Sequence, residues 1–201
     1  EGAVKHNGPL IKDGRRLEDL PAAIVEYSRE HDLELTGHAG PEAQVAALSD
    51  DIAYNNHDID DGLRAGLFEI GDLKGLPLVG EKFVEVERKY PGIGTSRLVH
   101  EAIRRMINAM VEDVLAETRR RLAEAAPKSV AEIRALGRPV VAFSDAMAAN
   151  DRTIKAFLYK NMYEHWLLNR SHSKARRVVM DLFGLLFAEP NCLPPPWRER
   201  A

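Results

Sequence analysis

The stretch from Pro41 to Leu63, PEAQVAALSDDIAYNNHDIDDGL, carries the clearest structural signal in the chain. Proline suits the first turn of a helix, where its missing amide hydrogen has no intrahelical partner to lose. The apolar residues that follow recur at three, four and seven positions, which is the spacing of one helical face. The stretch is therefore predicted to be a helix with an inward face. That face contains Val45, Leu48, Ile52 and Ile59.

The same helical spacing places a polar stripe on another face of this helix. The stripe contains Asp50, Tyr54, His57, Asp58 and Asp61. Like charges at such spacings repel by a few tenths of a kcal/mol per pair, and a bound cation would relieve that repulsion. Carboxylate oxygens are ligands that hard divalent cations prefer. Two interpretations remain open, a solvated acidic face or one that binds a ligand; no cysteine pair or His-x-x-x-His spacing completes a metal site here.

Apolar residues recur at helical spacings along the rest of the chain, so the predicted fold class is all-α. A long central helix is predicted from Thr95, as a capping residue, to about Ala125. The first helix is predicted from Asp19, also as a cap, to about His31. Its inward face would contain Leu20, Ile24 and Tyr27.

The last third of the chain is expected to contain two helices, near 140–149 and 152–187, with a break at Asn150-Asp151. Residues 170–174 could interrupt the second of these helices. Successive prolines predict a tail that is not helical, with Trp197 packed against the body of the protein. We find no linker or repeat, so residues 1–201 are predicted to form a single all-α region.

Composition excludes several classes of protein. The chain has 201 residues, 45% of them hydrophobic, and a net charge of −3, which argues against nucleic acid as the main partner. No apolar run approaches the roughly 20 residues that span a bilayer, so no membrane partner is expected. A single cysteine, Cys192, indicates a reducing compartment, and the cytoplasm is the expected location. The first residues contain neither Met nor a signal sequence, so a longer parent chain is expected.

A second group of residues lies on the predicted central helix. Arg97, His100 and Arg104 are three and four positions apart, so they point the same way and could converge on a triphosphate group. Fixed cations or a protonated histidine would stabilise the charge on such a group, which makes His100 the candidate catalytic residue. The alternative is that these arginines, with Arg105, pair with neighbouring glutamates at the surface.

The stretch 41–63 closely resembles the bacterial deoxyguanosinetriphosphate triphosphohydrolase-like proteins of the HD superfamily. Further stretches extend the resemblance over most of the chain. They are KHNGPL at 5–10, FLY at 157–159, MYEH at 162–165 and LPP at 193–195. The resemblance implies a multi-helical HD-domain-like fold and a hydrolase that converts dGTP or another dNTP to the deoxynucleoside and inorganic triphosphate.

The resemblance also implies roles for residues of the stripe. Family members hold a divalent metal, such as Mg, Mn or another transition metal, with a first His, an adjacent His-Asp pair and a distant Asp. By its place in the motif Asp50 resembles the distant Asp, Tyr54 resembles the tyrosine beside the sugar and phosphate, and Asp58 resembles the carboxylate that accepts the sugar 3′-hydroxyl. His57-Asp58 follows the distant Asp and is not the paired ligand. The other metal ligands are expected before residue 1, which makes the chain a C-terminal portion that is inactive by itself.

The resemblance further implies a homo-oligomer, with a nucleotide as a possible activator besides the dNTP substrate. Two alternatives remain open from the sequence. One is a non-catalytic helical module that binds a nucleotide or pairs with itself. The other is an HD-type nucleotidase or phosphodiesterase, which would share the metal but lack the sugar contacts of Tyr54 and Asp58.

Overall fold

Helices make up the regular secondary structure of residues 2–199, which are the residues that the computed structural model describes, and no β-strand occurs among them. The prediction of an all-α protein is confirmed. The α-helices, numbered along the chain, are α1 (Gly2–Lys5), α2 (Ala22–Glu30), α3 (Pro41–Arg64), α4 (Ile70–Leu73), α5 (Val79–Lys89), α6 (Thr95–Ala125), α7 (Val130–Ala135), α8 (Asp145–Leu158), α9 (Trp166–Ala188) and α10 (Pro195–Arg198). None of these helices is long and apolar enough to cross a membrane.

The helices α3, α5 and α6 pack together and enclose the main core. Side chains from all three are fully buried, among them Ile59, Phe83 and Met106. The bounds of α3 and α6 agree with the sequence prediction, although α6 is capped by Gly94 and Thr95 is its first residue. Val45, predicted to face inward, is 49% exposed, so the buried face of α3 is narrower than expected.

The first predicted helix begins later than the sequence indicated. Asp19 does not cap α2. It is the last residue of a short 3₁₀ turn, Leu17–Asp19, and its carboxylate accepts a hydrogen bond from the Arg16 amide at 3.0 Å. The helix starts at Ala22, after Pro21. Leu20 is buried but precedes the helix, whereas Tyr27 is 55% exposed and lies against His31, so the predicted inward position of Tyr27 is wrong.

The predicted break at Asn150-Asp151 is also wrong, because α8 continues through both residues. The helix begins where the Ser144 hydroxyl accepts a hydrogen bond from the Met147 amide, while Asp113 of α6 accepts from the Ser144 amide at 2.8 Å. A π-helical turn, Tyr159–Tyr163, follows α8. The helix α9 is continuous, so the expected interruption at 170–174 is absent.

The proline-rich tail is partly helical, contrary to prediction. A 3₁₀ turn, Pro190–Cys192, is followed by the short helix α10, and each begins with a proline. Proline is favoured at the first position of a helix, so consecutive prolines stop a helix only when they fall inside it. Trp197 was expected to be packed, but its side chain is 64% exposed, so this prediction is wrong.

Contacts divide the chain into two compact units, residues 1–155 and 156–201. The first unit contains the core between α3, α5 and α6. In the second unit, α9 exposes much of its apolar surface, including Phe183 and Phe187, whose stacked rings have centroids 5.9 Å apart. The single region predicted from the sequence stays a prediction.

Candidate functional site

The helix α3 presents the predicted stripe on its exposed face. Asp50, His57 and Asp61 are exposed, and Tyr54 is 60% exposed despite its size. Within residues 2–199, Asp50, Tyr54 and His57 make no hydrogen bond or ion pair. Asp58 differs from the others because it lies at the flank of the stripe and is partly buried.

Three buried polar side chains on the opposite side of α3 fix the rotation of the helix. The Gln44 amide oxygen accepts hydrogen bonds from the Val140 and Val141 amides at 2.9 and 3.1 Å, and its amide nitrogen donates to the Ala39 carbonyl at 2.8 Å. The Asn56 amide nitrogen donates to the Ile52 carbonyl within α3. Buried polar groups are costly without partners, so these bonds favour one orientation of α3.

The third of these residues, Asn55, connects α3 to α8. Its amide nitrogen donates to the buried carboxylate of Asp151 at 2.7 Å. The Lys155 ammonium lies 3.0 Å from the Asp151 carboxylate and 3.2 Å from that of Asp51. Burial disfavours the charged form of Lys155, but the hydrogen bonds and charges of the two aspartates outweigh burial and raise the pKa of Lys155. The residues flanking Asp50 and Tyr54 are thus held in place.

A wide cavity of about 810 Å³ opens at the C-terminal end of α3. We call it the basic groove, because four basic side chains line it together with a single carboxylate. The basic residues are Arg64, Lys89, Arg97 and His100; the carboxylate is Glu101; and Tyr90, Pro91, Gly92, Ile93 and Ser96 complete the wall. The structure therefore brings together Arg97 and His100, two of the three predicted phosphate-binding residues.

The third, Arg104, does not line this groove. Its guanidinium lies 3.2 Å from the Glu101 carboxylate, which also pairs with Arg105. Hydrogen bonds from Arg105 and then Arg104 lower the pKa of Glu101. Surface pairing, the alternative weighed from the sequence, thus describes Arg104 and Arg105, and the substrate-binding role of Arg104 stays a prediction.

Two residues of the groove were missed by the sequence analysis. Arg64 lies seven positions after His57, so extending the helical stripe by two turns would have found it. Lys89 ends α5, and no spacing relates it to Arg97; only the packing of α5 on α6 brings the two to one cavity.

The stripe and the groove lie at different levels of α3. Arg64 follows Asp50 by 14 residues, which corresponds to about 21 Å along a helix. None of Asp50, Tyr54 and Asp58 lines the groove. A single nucleotide would have to extend along α3 to contact both.

The described residues do not form a metal site by themselves. No group of three or more His, Cys, Asp or Glu side chains in 2–199 is arranged to hold a metal ion. Asp50 offers one exposed carboxylate without a partner there, which suits one ligand of a larger set and no more. The residues present do not fit a complete metal centre.

The stretch KHNG near the start of the chain has a structural role. Lys5 is fully buried, and its ammonium donates to the Glu34 carbonyl at 2.8 Å. Gly8 adopts a left-handed φ of 102° in the turn that follows.

Comparison with protein families finds one matching family model, the phosphohydrolase-associated domain, over residues 141–201. It covers the whole of α8 and the helices after it, and it begins after the last residue of the basic groove.

Curated proteins match nearly the whole chain. Each of the following is named deoxyguanosinetriphosphate triphosphohydrolase-like protein. The protein from Parvibaculum lavamentivorans is 59% identical over 198 residues, which are 98% of this chain and 50% of the relative's length. The protein from Azorhizobium caulinodans is 49% identical over 203 residues, which are 98% of this chain and 51% of the relative's length. The protein from Caulobacter vibrioides is 47% identical over 198 residues, which are 98% of this chain and 50% of the relative's length. The resemblance read from residues 41–63 is confirmed. The chain spans about half the length of the curated relatives it matches, and the matched relatives and the domain together indicate a phosphohydrolase family.

Proposed function

We propose that the chain is the C-terminal part of a metal-dependent hydrolase that converts dGTP or another dNTP to the deoxynucleoside and inorganic triphosphate. The observation that carries the proposal is the exposed stripe of α3, where Asp50 and Tyr54 have no partner in residues 2–199, while the buried Gln44, Asn55 and Asn56 of the same helix each donate a hydrogen bond. The names of the relatives support the same substrate class.

Each residue of the stripe has a proposed role. Asp50 would supply one metal ligand, and the remaining ligands would come from outside the chain. A bound divalent cation would supply Lewis-acid polarisation of the phosphate. Tyr54 would pack beside the deoxyribose, and Asp58 would accept the 3′-hydroxyl. Water would attack the α-phosphorus, the bond to the 5′-oxygen would break, and the proton would pass to that oxygen.

The triphosphate would lie toward α6. Arg97 and His100 would bind its oxygens, and His100 would have the catalytic role of stabilising its charge. Arg104 would join them only after exchanging its present partner, Glu101. The proposal also includes a homo-oligomer, a possible nucleotide activator and a cytoplasmic location, which rest on the resemblance and on the single cysteine.

A non-catalytic nucleotide-binding or self-pairing module is the second candidate. It is favoured by the lack of a three-ligand metal group in residues 2–199. The two candidates differ in what the longer polypeptide does, because a non-catalytic module would bind a nucleotide without changing it.

The test is product analysis on the longer polypeptide with each dNTP and a divalent metal. Chromatography would separate deoxynucleoside and triphosphate from monophosphate and pyrophosphate. Deoxynucleoside plus triphosphate is the expected result. Monophosphate plus pyrophosphate would indicate an HD-type nucleotidase or phosphodiesterase, and no turnover would favour the non-catalytic module. The isolated chain is expected to show no turnover above a blank without protein.

A further inference from the structure

The second compact unit, which begins at Ala156, has almost no core of its own. Leu158, at the end of α8, is the one buried residue among residues 156–199. Helices in proteins are stabilised mainly by packing of their apolar faces, because an isolated helix is only marginally stable in water. A unit of this size also buries too little surface to fold alone. The unit therefore needs further polypeptide around it.

The C-terminal part of α9 is the surface that such polypeptide would cover. We call residues 178–187 the apolar segment, because eight of these ten residues are apolar and Asp181 is the one charged residue among them. Met180, Phe183 and Phe187 are 66%, 68% and 79% exposed. A contiguous exposed patch of large apolar side chains is typical of an interaction surface.

The apolar side chains extend around most of the helix. At about 100° per residue, those of the apolar segment occupy an arc of about 220°, from Leu185 through Phe183 to Met180. A helix that packs on one surface has an apolar stripe about 100° wide, whereas a helix that is apolar on nearly all sides is enclosed by protein. The apolar segment therefore fits an occupant that contacts it from several sides.

This geometry distinguishes between the possible occupants. One face of a second copy would cover about one stripe and leave the rest of the arc in water. A helix that lies on a membrane has its basic residues on the face opposite its apolar residues. In α9 the basic residues Arg170, Lys174 and Arg176 instead precede the apolar segment along the helix.

A long stretch of polypeptide can enclose the apolar segment, and the curated relatives contain one. They extend beyond the region that they share with this chain by about as many residues as the chain itself contains. The length required to surround one helix is therefore present in a polypeptide of the relatives' size.

We propose that the apolar segment of α9 is the docking surface for the part of the longer polypeptide that lies outside residues 1–201. The occupant would enclose Phe183 and Phe187 with apolar side chains and leave the narrow polar strip of Arg177 and Asp181 toward water. The proposal shares with the proposed function the premise of a longer polypeptide. It goes beyond that function because it involves neither the nucleotide nor the metal.

The experiment is photo-crosslinking of the longer polypeptide with a benzophenone-bearing phenylalanine in place of Phe187. The expected product keeps the mass of one polypeptide on a denaturing gel, and mass spectrometry of its digest joins the α9 peptide to a peptide from outside residues 1–201. The same side chain in place of Ser173 is the matched control, since Ser173 is exposed in the polar part of α9. The control should give little crosslinked product.

Three results would overturn the proposal. A product of twice the mass would identify a second copy as the occupant. A crosslink to residues 1–155 would show that the chain covers the apolar segment itself, and a yield no higher than that of the Ser173 control would show that nothing covers it. None of these results depends on turnover, so failure here is separate from failure of the proposed function.

Thiol labelling provides an independent measurement without a bulky probe. Cys192 is exposed and is first replaced in Cys192→Ser, and then Val179→Cys or Ser173→Cys is added. In the 201-residue chain both thiols should react at similar rates. In the longer polypeptide Val179→Cys should react at least about tenfold more slowly than Ser173→Cys, because the thiol is reached only when the occupant opens. Equal rates in the longer polypeptide, or slow labelling of Val179→Cys already in the 201-residue chain, would contradict the proposal.

Discussion

Both faces of α3 carry polar residues, but the two faces use them differently. On the buried face, Gln44, Asn55 and Asn56 donate hydrogen bonds to acceptors within the chain. On the exposed face, Asp50 and Tyr54 make none within residues 2–199. The buried residues hold the helix in one rotation, and that rotation presents the exposed residues. The buried face of α3 therefore contributes to stability and the exposed face to the proposed chemistry. Substitutions on each face can test these two contributions separately.

Asp50→Ala in the longer polypeptide is expected to separate activity from stability most clearly. Loss of a metal ligand should reduce both bound metal and turnover by at least about 100-fold, while the free energy of unfolding of the chain changes by no more than about 0.5 kcal/mol. Metal analysis, turnover and chemical denaturation measure the three quantities. Val45→Ala, at another exposed position of α3, is the control. Normal turnover and metal content in Asp50→Ala would remove the assigned role.

Asp58→Ala is expected to act on the same face through nucleotide binding. Loss of the proposed acceptor for the 3′-hydroxyl should raise KM by about tenfold or more and leave bound metal unchanged. Steady-state kinetics with metal analysis test this. If Asp58→Ala loses bound metal as Asp50→Ala does, the two aspartates act together at the metal.

The buried face is tested by Gln44→Ala. Removing this side chain leaves the amides of Val140 and Val141 and the carbonyl of Ala39 without their partners, which should lower the free energy of unfolding by about 3 kcal/mol. Chemical denaturation of the chain measures the change. Asp50→Asn, on the exposed face, should change it by less than about 0.5 kcal/mol. Equal destabilisation by Gln44→Ala and Asp50→Asn would contradict the assignment of stability to the buried face of α3.

Gly62→Ala tests how closely the buried face is packed. A Cβ atom at Gly62 would lie 2.2 Å from the Phe68 ring, so the ring must move and the chain should lose about 2 kcal/mol of stability. Gly71→Ala is the matched control, since within residues 2–199 no atom beyond its chain neighbours and its own helix backbone lies within 4 Å of its Cβ position. Thermal unfolding should separate the two variants; similar melting temperatures would show that Phe68 relocates freely.

The smallest effect is expected on α6, where surface charges are paired. Arg120 and then Arg121 donate hydrogen bonds to Glu117 and lower the pKa of that carboxyl to about 2 from 4.5. The charged form is favoured in the folded state, so its stabilising contribution is present above pH 4.5 and is lost as the pH falls toward 2.

Glu117→Gln should therefore lower the Tm slightly at pH 7, and the difference from the unaltered chain should vanish near pH 2. Glu112→Gln, at an exposed position of the same helix without an ion pair in residues 2–199, should leave the Tm unchanged at both pH values. Thermal unfolding followed by circular dichroism across this range measures both variants. A difference that persists at pH 2 would show that Glu117 acts through packing.

Periodicity predicted the long helices well and their interruptions poorly. The bounds of α3 and α6 follow from apolar spacing, a proline at the start of α3 and a left-handed Ala126 before Pro127 at the end of α6. The predicted break at Asn150-Asp151 failed because Asp151 accepts a hydrogen bond from Asn55, 96 residues away. Such a contact offsets the weak helix propensity of the pair, and no local pattern reveals it.

The sequence by itself determined the all-α class, the stripe of α3 and the family resemblance, because these depend on residue types at fixed spacings along one helix. Only the tertiary structure decided that Lys89 and Arg64 join Arg97 and His100 around one groove. The physical reason is that helical geometry fixes which residues of one helix are neighbours. Which residues of different helices become neighbours depends on how α3, α5 and α6 pack. That packing is favoured because it buries apolar side chains across the whole core.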